Sequence, residues 1–410
     1  MRKTFFNIAS SNMAGAGLGF LFNIVLARML DIASYGRASF IFALVFVMGS
    51  IADFGFSNGV VIFHNRYSAS ISSPIAVVNY LFYRLLLIFA AISIPVLVLF
   101  RHFYALTGPE AGLLYVSSIS LALYRYISAV HQALGDWRRF NRLQVVANGL
   151  KFGLGSGCVL ALSYWWPVML PYSAALTGYL AATLAALAVS VAATGNTLAQ
   201  QCPVEQVRRD VIRLLVPLGV SSIMVVITMR FDYLVIQKFL GDELLGIYSA
   251  ANTLAFVFPL LTISLMNILL RETALRGDEV LSQILAAQLR YLPHMLLVFA
   301  VVWVLAGQII PLLFGNRYIL AVPYFRLLLI PYMGGIFFTP LESYYYARDP
   351  MTILWFKAGQ MAIVVVCSLL LIGAFRLYGV VLAIVLSRIL GWLVLYVRSR
   401  LIIASRQTSL

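Results

Sequence analysis

Apolar runs of 18 or more residues recur along this whole chain, and a run of that length spans the hydrocarbon of a bilayer. They fall at about residues 8–30, 38–62, 75–100, 112–134, 143–164, 168–193, 214–238, 246–270, 291–314, 321–346, 352–373 and 378–397. Lipid offers no partner to an unpaired backbone N–H or C=O, so each run is read as a helix. The expected fold is an all-α polytopic membrane protein with about twelve transmembrane helices. Length alone would suggest two or three soluble domains. Composition excludes that: of 410 residues 62% are hydrophobic and 10% charged, where a soluble domain carries about 25% charged residues.

The net charge is +15. Cytoplasmic loops of membrane proteins collect Lys and Arg, so the placement of these charges is a test of topology. With the N-terminus inside, 17 cations fall at inner segments, among them Arg2, Lys3, Arg138, Arg139, Arg142, Arg208, Arg209 and Lys357. Six fall at outer ends: Arg28, Arg37, Arg101, Lys238, Arg317 and Arg376. The bias places both termini in the cytoplasm and explains much of the excess without nucleic acid or another polyanion. The opening Met1-Arg2-Lys3 and the run behind it read as a retained first span, since no small-residue cleavage site follows. Three cysteines, two of them inside spans, form no metal-ligand spacing. Neither a metal nor a cofactor is expected.

The longest polar stretch has six spans on each side. It divides the chain into an N-terminal six-helix lobe at 1–195, a cytoplasmic linker at 196–213 and a C-terminal six-helix lobe at 214–410. An offset of 210 residues aligns the starts of the two halves. It matches Val25/Val235, Leu30/Leu240, Gly36/Gly246, Ser39/Ser249, Leu44/Leu254, Phe46/Phe256 and Val47/Val257, with the cation pair Arg28/Lys238. Six spans per half start both halves on the same side, so the expected pseudo-two-fold axis lies along the membrane normal.

The stretch from Asn23 through Leu30-Asp31 to Tyr35-Gly36, followed one span later by Ala52-Asp53-Phe54-Gly55-Phe56, resembles the polysaccharide-transport branch of the multidrug/oligosaccharidyl-lipid/polysaccharide exporter (MOP) superfamily. The closest resemblance is to Wzx-type O-unit flippases. Family members show a similar Leu-(Gly)-x3-Tyr/Phe-Gly turn and Asp-x-Gly-hydrophobic segment, and the second half repeats the turn as Leu240-Gly241 to Gly246-Ile247-Tyr248. Asp31 departs from the family, which often has Gly there. The resemblance implies two six-helix lobes around a central cavity, as in MATE transporters. It also implies movement of a polyprenyl-pyrophosphate-linked oligosaccharide across the bacterial inner membrane, with a polysaccharide polymerase and chain-length proteins as further partners.

Charge at membrane depth marks the candidate site. Arg84, Arg125, Lys151, Arg230 and Arg388 fall within spans. Each central Arg or Lys costs roughly 2.5–3.5 kcal/mol to insert. A pyrophosphate headgroup needs its charge compensated in hydrocarbon, and guanidinium donates to phosphate in a planar fork while staying ionised. Arg84, Arg125, Arg230 and Arg388 are therefore substrate-binding candidates, with Arg28 and Lys238 added for their equivalence across the repeat. Two structural readings stand beside this one. A central arginine can pair with a carboxylate or cap a broken helix, and Arg28 and Lys238 can snorkel to the interface.

Among acidic residues, Asp232 either couples transport to an ion or neutralises a cation, and the second reading is favoured. Residues i and i+2 do not face each other on a helix, so pairing with Arg230 requires another helix or a distortion. Asp53 is expected to cap a helix rather than couple an ion, and Glu342 is expected at the inner interface. Tyr164-Trp165-Trp166 and Tyr344-Tyr345-Tyr346 read as interfacial belts.

Three function classes follow. A flippase matches the anion-binding charges and the halves. A multidrug exporter of the same superfamily would need an acidic cavity for cationic drugs. An integral glycosyltransferase or polymerase would need a catalytic loop, and the chain has neither a DxD motif nor a long outer loop. A P-loop is also absent, and no enzymatic step is expected.

Overall fold

The computed structural model describes residues 2–67, 74–165, 171–194, 205–259 and 279–407. Among them every regular element is a helix. In order these are α1 Arg2–Met29, α2 Ile32–Asp53, α3 Phe56–Tyr67, α4 Pro74–Phe103, α5 Gly108–Ala133, α6 Trp137–Trp165, α7 Pro171–Thr194 and α8 Glu205–Ala255. They continue as α9 Glu279–Phe314, a 3-10 turn Asn316–Ala321, α10 Val322–Arg348, α11 Pro350–Phe375 and α12 Leu377–Gln407. The chain forms two compact units, Met1–Arg230 and Phe231–Leu410. Half of the polar linker, 196–204, and the end of the eighth expected span lie outside the described residues.

Ten helical stretches among the described residues are long and apolar enough to cross a membrane. One of them, Leu215–Pro259, has 45 residues. At 1.5 Å per residue it is about 68 Å long, twice the ~30 Å hydrocarbon thickness. Its helix breaks at Gly241, where φ is 85°. A left-handed φ costs a side-chain-bearing residue but not glycine, so Gly241 is where this helix kinks. The protein is a multi-pass membrane protein.

Helix starts follow capping chemistry. Asp31 accepts the Ser34 N–H at 3.1 Å and starts α2 six residues before the apolar run begins. Thr107 and Glu110 form a reciprocal capping box at the start of α5. Arg37 closes on the same Glu110 with a two-pronged bridge at 2.8 and 2.9 Å, and donates to the Ala105 carbonyl at 2.9 Å. The start of α2 is thereby fastened to the α4–α5 connection. Asp349 accepts from Thr352 N at 3.1 Å and caps α11, with Pro350 in the first turn. The Thr352 hydroxyl and backbone N–H hold the Asp349 carboxyl below its usual range.

In the first unit α5 packs against α2 and α7, and α6 against α1 and α7. The core holds Phe82 stacked on Tyr126 at 3.8 Å, with Phe56, Phe63 and Val130 around them. In the second unit α11 packs on α12, and α10 on α9 and α12. Tyr344 and Tyr345 lie in that core, 4% and 1% exposed. They are not the interfacial belt expected from the sequence: the Tyr345 hydroxyl reaches Ser399 Oγ at 2.9 Å, which satisfies its polar end in the interior. The Tyr164-Trp165-Trp166 side chains lie outside the described residues. Outward faces are apolar, with Leu87, Val304, Leu312 and Leu370 each over 70% exposed. Such faces suit hydrocarbon, where apolar exposure carries no penalty.

Candidate functional site: a cation cluster in each unit

The site in the first unit starts from one face of α2. Phe42, Phe46, Ser50 and Asp53 follow at spacings of four, four and three, which places them on one stripe of a helix. Arg125 of α5 meets this stripe. Its Nη1 donates to Ser50 Oγ at 2.7 Å, and Ser50 in turn donates to the Phe46 carbonyl at 2.7 Å. The Arg125 guanidinium lies 4.5 Å from the Phe46 ring centroid. That of Arg230, on α8, lies 5.1 Å from the same centroid. Both are within the ~6 Å over which a ring face attracts a cation, so one phenylalanine gathers two like charges. Lys151 of α6 sits 5.5 Å from the ring of Tyr179 on α7, which packs on Phe42 at 4.6 Å. Tyr179 is also an electrostatic neighbour of Arg125.

Asp53 is the carboxylate near this group, with Arg125 among its electrostatic neighbours. Its oxygen is engaged locally, accepting the Ser57 N–H at 3.2 Å and the Ser57 hydroxyl. It therefore caps α3, as the sequence reading expects. Phe54 and Gly55 follow with φ of 43° and 74°. A Cβ on Gly55 would lie 2.9 Å from backbone atoms of Leu218 and Gly219. The Asp-x-Gly segment thus ends one helix, starts the next and admits α8 at close range.

The second unit holds a different cluster. Lys357 of α11 pairs with Glu342 of α10 at 2.8 Å. Trp392 of α12 donates Nε1–H to the other Glu342 oxygen at 3.3 Å. Arg388 of α12 is an electrostatic neighbour of both Glu342 and Lys357. Lys357 lies within the Met351–Phe375 span, and Glu342 lies near the end of Asn316–Tyr345 with its side chain 14% exposed and ion-paired. Nothing in the sequence marks this pairing, which only the facing helices reveal.

The other sequence candidates are dispersed. Arg84 is exposed on α4, 5.6 Å from the Tyr80 ring, beside the exposed Leu87 and Ile88. Arg28 and Lys238 are exposed, in the first and second units respectively. Asp232 is buried, 3% exposed, accepting the hydroxyl of Tyr248 and the backbone N–H of Tyr233. Tyr233 and Tyr332 both bond Asn252, at 3.1 and 2.6 Å. The repeated Gly246-Ile247-Tyr248 turn therefore delivers the phenol that holds Asp232. Arg326 of α10 donates to the Trp303 carbonyl of α9 at 3.0 Å and closes a helix contact.

The fold is that of the MOP-superfamily transporters. An inward-facing multidrug-resistance MATE family transporter superposes with a TM-score of 0.74 at 16% identity, covering 97% of this chain and 96% of its own. A MATE structure in complex with MaD3S gives 0.66 at 16% identity, covering 99% and 97%. A MOP-superfamily transporter from Pyrococcus furiosus, described as having a binding pocket of reverse polarity that suggests a different function, gives 0.65 at 15%, covering 98% and 96%. The profile of the polysaccharide biosynthesis protein family matches residues 1–270, and the chain belongs to that family. No curated protein matches the sequence significantly.

Proposed function

We propose that the protein is a flippase for a polyprenyl-pyrophosphate-linked oligosaccharide. The cargo is a repeat unit of O-antigen or of a capsular or exopolysaccharide, and the membrane is the bacterial inner membrane, with both termini cytoplasmic. The carrying observation is the convergence of Arg125 and Arg230 on Phe46. Two guanidiniums gathered at one ring repel each other, and an anion relieves that repulsion. Pyrophosphate matches that need through bidentate donation. Lys151 on Tyr179 extends the positive surface toward the same aromatic group.

Family membership supports a polysaccharide-linked cargo. The shared fold supports transport by alternating access, since one matched relative is described as inward-facing. The reverse-polarity relative supports sorting function within this fold by pocket charge. A cationic drug would meet two guanidiniums in the first unit, which favours the flippase over a multidrug exporter. The drive is an ion gradient or the membrane potential, which acts at about 2.3 kcal/mol per charge per 100 mV. Asp232, under its tyrosine hydroxyl, is the ion-coupling candidate.

The test is translocation of a labelled lipid-linked oligosaccharide in proteoliposomes. Arg125→Ala and Arg230→Ala should each slow it by about tenfold or more, the loss of one to two charge-assisted hydrogen bonds. Arg125→Lys should retain part of the rate, as a point charge without the fork. Normal rates in well-folded alanine variants would defeat the assignment.

A further inference from the structure

The outward side of α4 is apolar, with Leu87, Ile88, Val98 and Leu99 each more than half exposed. At about 100° of turn per residue, Leu87 and Leu99 lie about 60° to either side of Arg84. Arg84, itself exposed, is therefore at the middle of a lipid-facing stripe. None of the ion pairs among the described residues includes it. A guanidinium presented to hydrocarbon without an anion is costly, so its surroundings decide what it is for.

Two arginines bound the apolar part of α4. Sixteen uncharged residues separate Arg84 from Arg101, and the rise between the two is about 25 Å. That approaches the ~30 Å of bilayer hydrocarbon, so Arg84 stands at one edge of it and Arg101 at the other. Side chains on a helix lean toward its N-terminus, which for Arg84 is the direction of the near edge. Its guanidinium lies 5.6 Å from the ring of Tyr80, one turn earlier on the helix and 46% exposed. The ring attracts the cation without neutralising it and holds it at the level of the lipid headgroups.

The charges nearby say which headgroup fits. From Phe54 to Pro109 the sequence holds no Asp or Glu, so neither α3 nor α4 offers a carboxylate. On α2 and α5, which also pack against α4, the carboxylates are already engaged: Asp53 by Ser57, and Glu110 by Arg37. The phosphate of any phospholipid suits the guanidinium fork. An ethanolamine headgroup would add an ammonium beside Arg84 with no counter-charge from these helices. A glycerol headgroup adds hydroxyls instead, and its net negative charge is left for the arginine.

We infer that Arg84, held by Tyr80, binds the headgroup of an anionic phospholipid of the surrounding bilayer, whose acyl chains lie along the Leu87–Leu99 stripe. The site is on the membrane edge where α4 begins, the cytoplasmic one when the termini are cytoplasmic. It is separate from the Arg125–Arg230 pair proposed for the cargo and stands whether or not the flippase reading does. It also gives Arg84 a role that its place outside the cation cluster leaves open.

The experiment is native mass spectrometry of the full-length protein with an equimolar mixture of phosphatidylglycerol and phosphatidylethanolamine of the same acyl chains. Wild type should hold its tightest lipid with a preference for phosphatidylglycerol. Arg84→Gln should lower that preference about fivefold, the effect of one cation at an anionic surface, and Arg84→Lys should keep most of it. Tyr80→Leu should lower it about twofold, as the loss of an exposed cation–π contact. Arg101→Gln, at the other end of the stripe, should leave it unchanged. All three positions are exposed, so unchanged melting temperatures should accompany these results. Soluble glycerol phosphate should not displace the lipid, because the acyl chains hold it to the stripe. An unchanged preference in Arg84→Gln, an equal fall in Arg101→Gln, or displacement by glycerol phosphate overturns the assignment. So does a dimer of this chain that Arg84→Gln dissolves, which would make the face a protein contact.

Discussion

The two units treat buried cations differently. In the second, Lys357 has a carboxylate at 2.8 Å, and the same carboxylate takes a tryptophan N–H. In the first, Arg125 spends one donor on a serine hydroxyl, and both arginines lean on a phenylalanine ring. A ring face attracts a cation without neutralising it, whereas a carboxylate cancels a full charge. The second cluster is thus a structural tie centred on a carboxylate, and the first is a reservoir that gathers two cations at one ring, with Asp53 the carboxylate near Arg125. Membrane depth makes a charge worth attention in either unit. What it is bonded to decides which role it has.

The sharpest way to break this contrast is to remove the carboxylate. Glu342→Ala should destabilise the protein by about 3–5 kcal/mol by leaving Lys357 and Arg388 buried without their partner, read as a fall in the melting temperature in detergent. Glu342→Ala with Lys357→Met should recover most of it. The next effect belongs to the first unit. Arg125→Ala removes the Ser50 bond along with the repulsion within the pair, so it should cost less stability than Glu342→Ala while transport falls. An equal loss of stability in both variants would erase the distinction between tie and reservoir.

Phe46→Leu keeps the apolar volume and removes the ring that collects both arginines. It should reduce cargo affinity through the loss of about 0.5–2 kcal/mol of cation–π attraction, about two- to thirtyfold, without altering α2. The smallest effect is expected at the start of α11. Asp349→Ala should cost about 1 kcal/mol as a lost helix cap. Because the Asp349 carboxyl is held below its usual range by Thr352, its contribution is present above the unfolded pKa. It fades as pH falls through the folded value. A melting curve of wild type minus Asp349→Ala between pH 6 and pH 3 should therefore converge at the acid end.

The crossings were legible because hydropathy and length are chain-local signals. Gly241 was less so, since a glycine in an apolar stretch does not announce whether the helix ends or bends there. The Asp53 cap followed from an acid before a Gly-containing turn. Arg125 and Arg230 stood out as intramembrane charges, yet their convergence was invisible: Phe46 sits among many apolar neighbours, and pairing across α2, α5 and α8 is a tertiary fact. The stripe Phe42, Phe46, Ser50 and Asp53 was the available hint. Tyr345 was misplaced because nearness to a span's end imitates an interface.

The central claim is that the first unit's arginine pair recognises the charge of the cargo's head. The measurement that tests it most directly is equilibrium binding of a lipid-linked oligosaccharide with its pyrophosphate and of a matched neutral polyprenol glycan. Both would be titrated into wild type and into the Arg125→Ala, Arg230→Ala double variant. Wild type should prefer the charged lipid by about a hundredfold or more, two charge-assisted hydrogen bonds' worth, and the double variant should bind both alike. Equal binding by wild type, or a preference that survives in the double variant, would contradict the account.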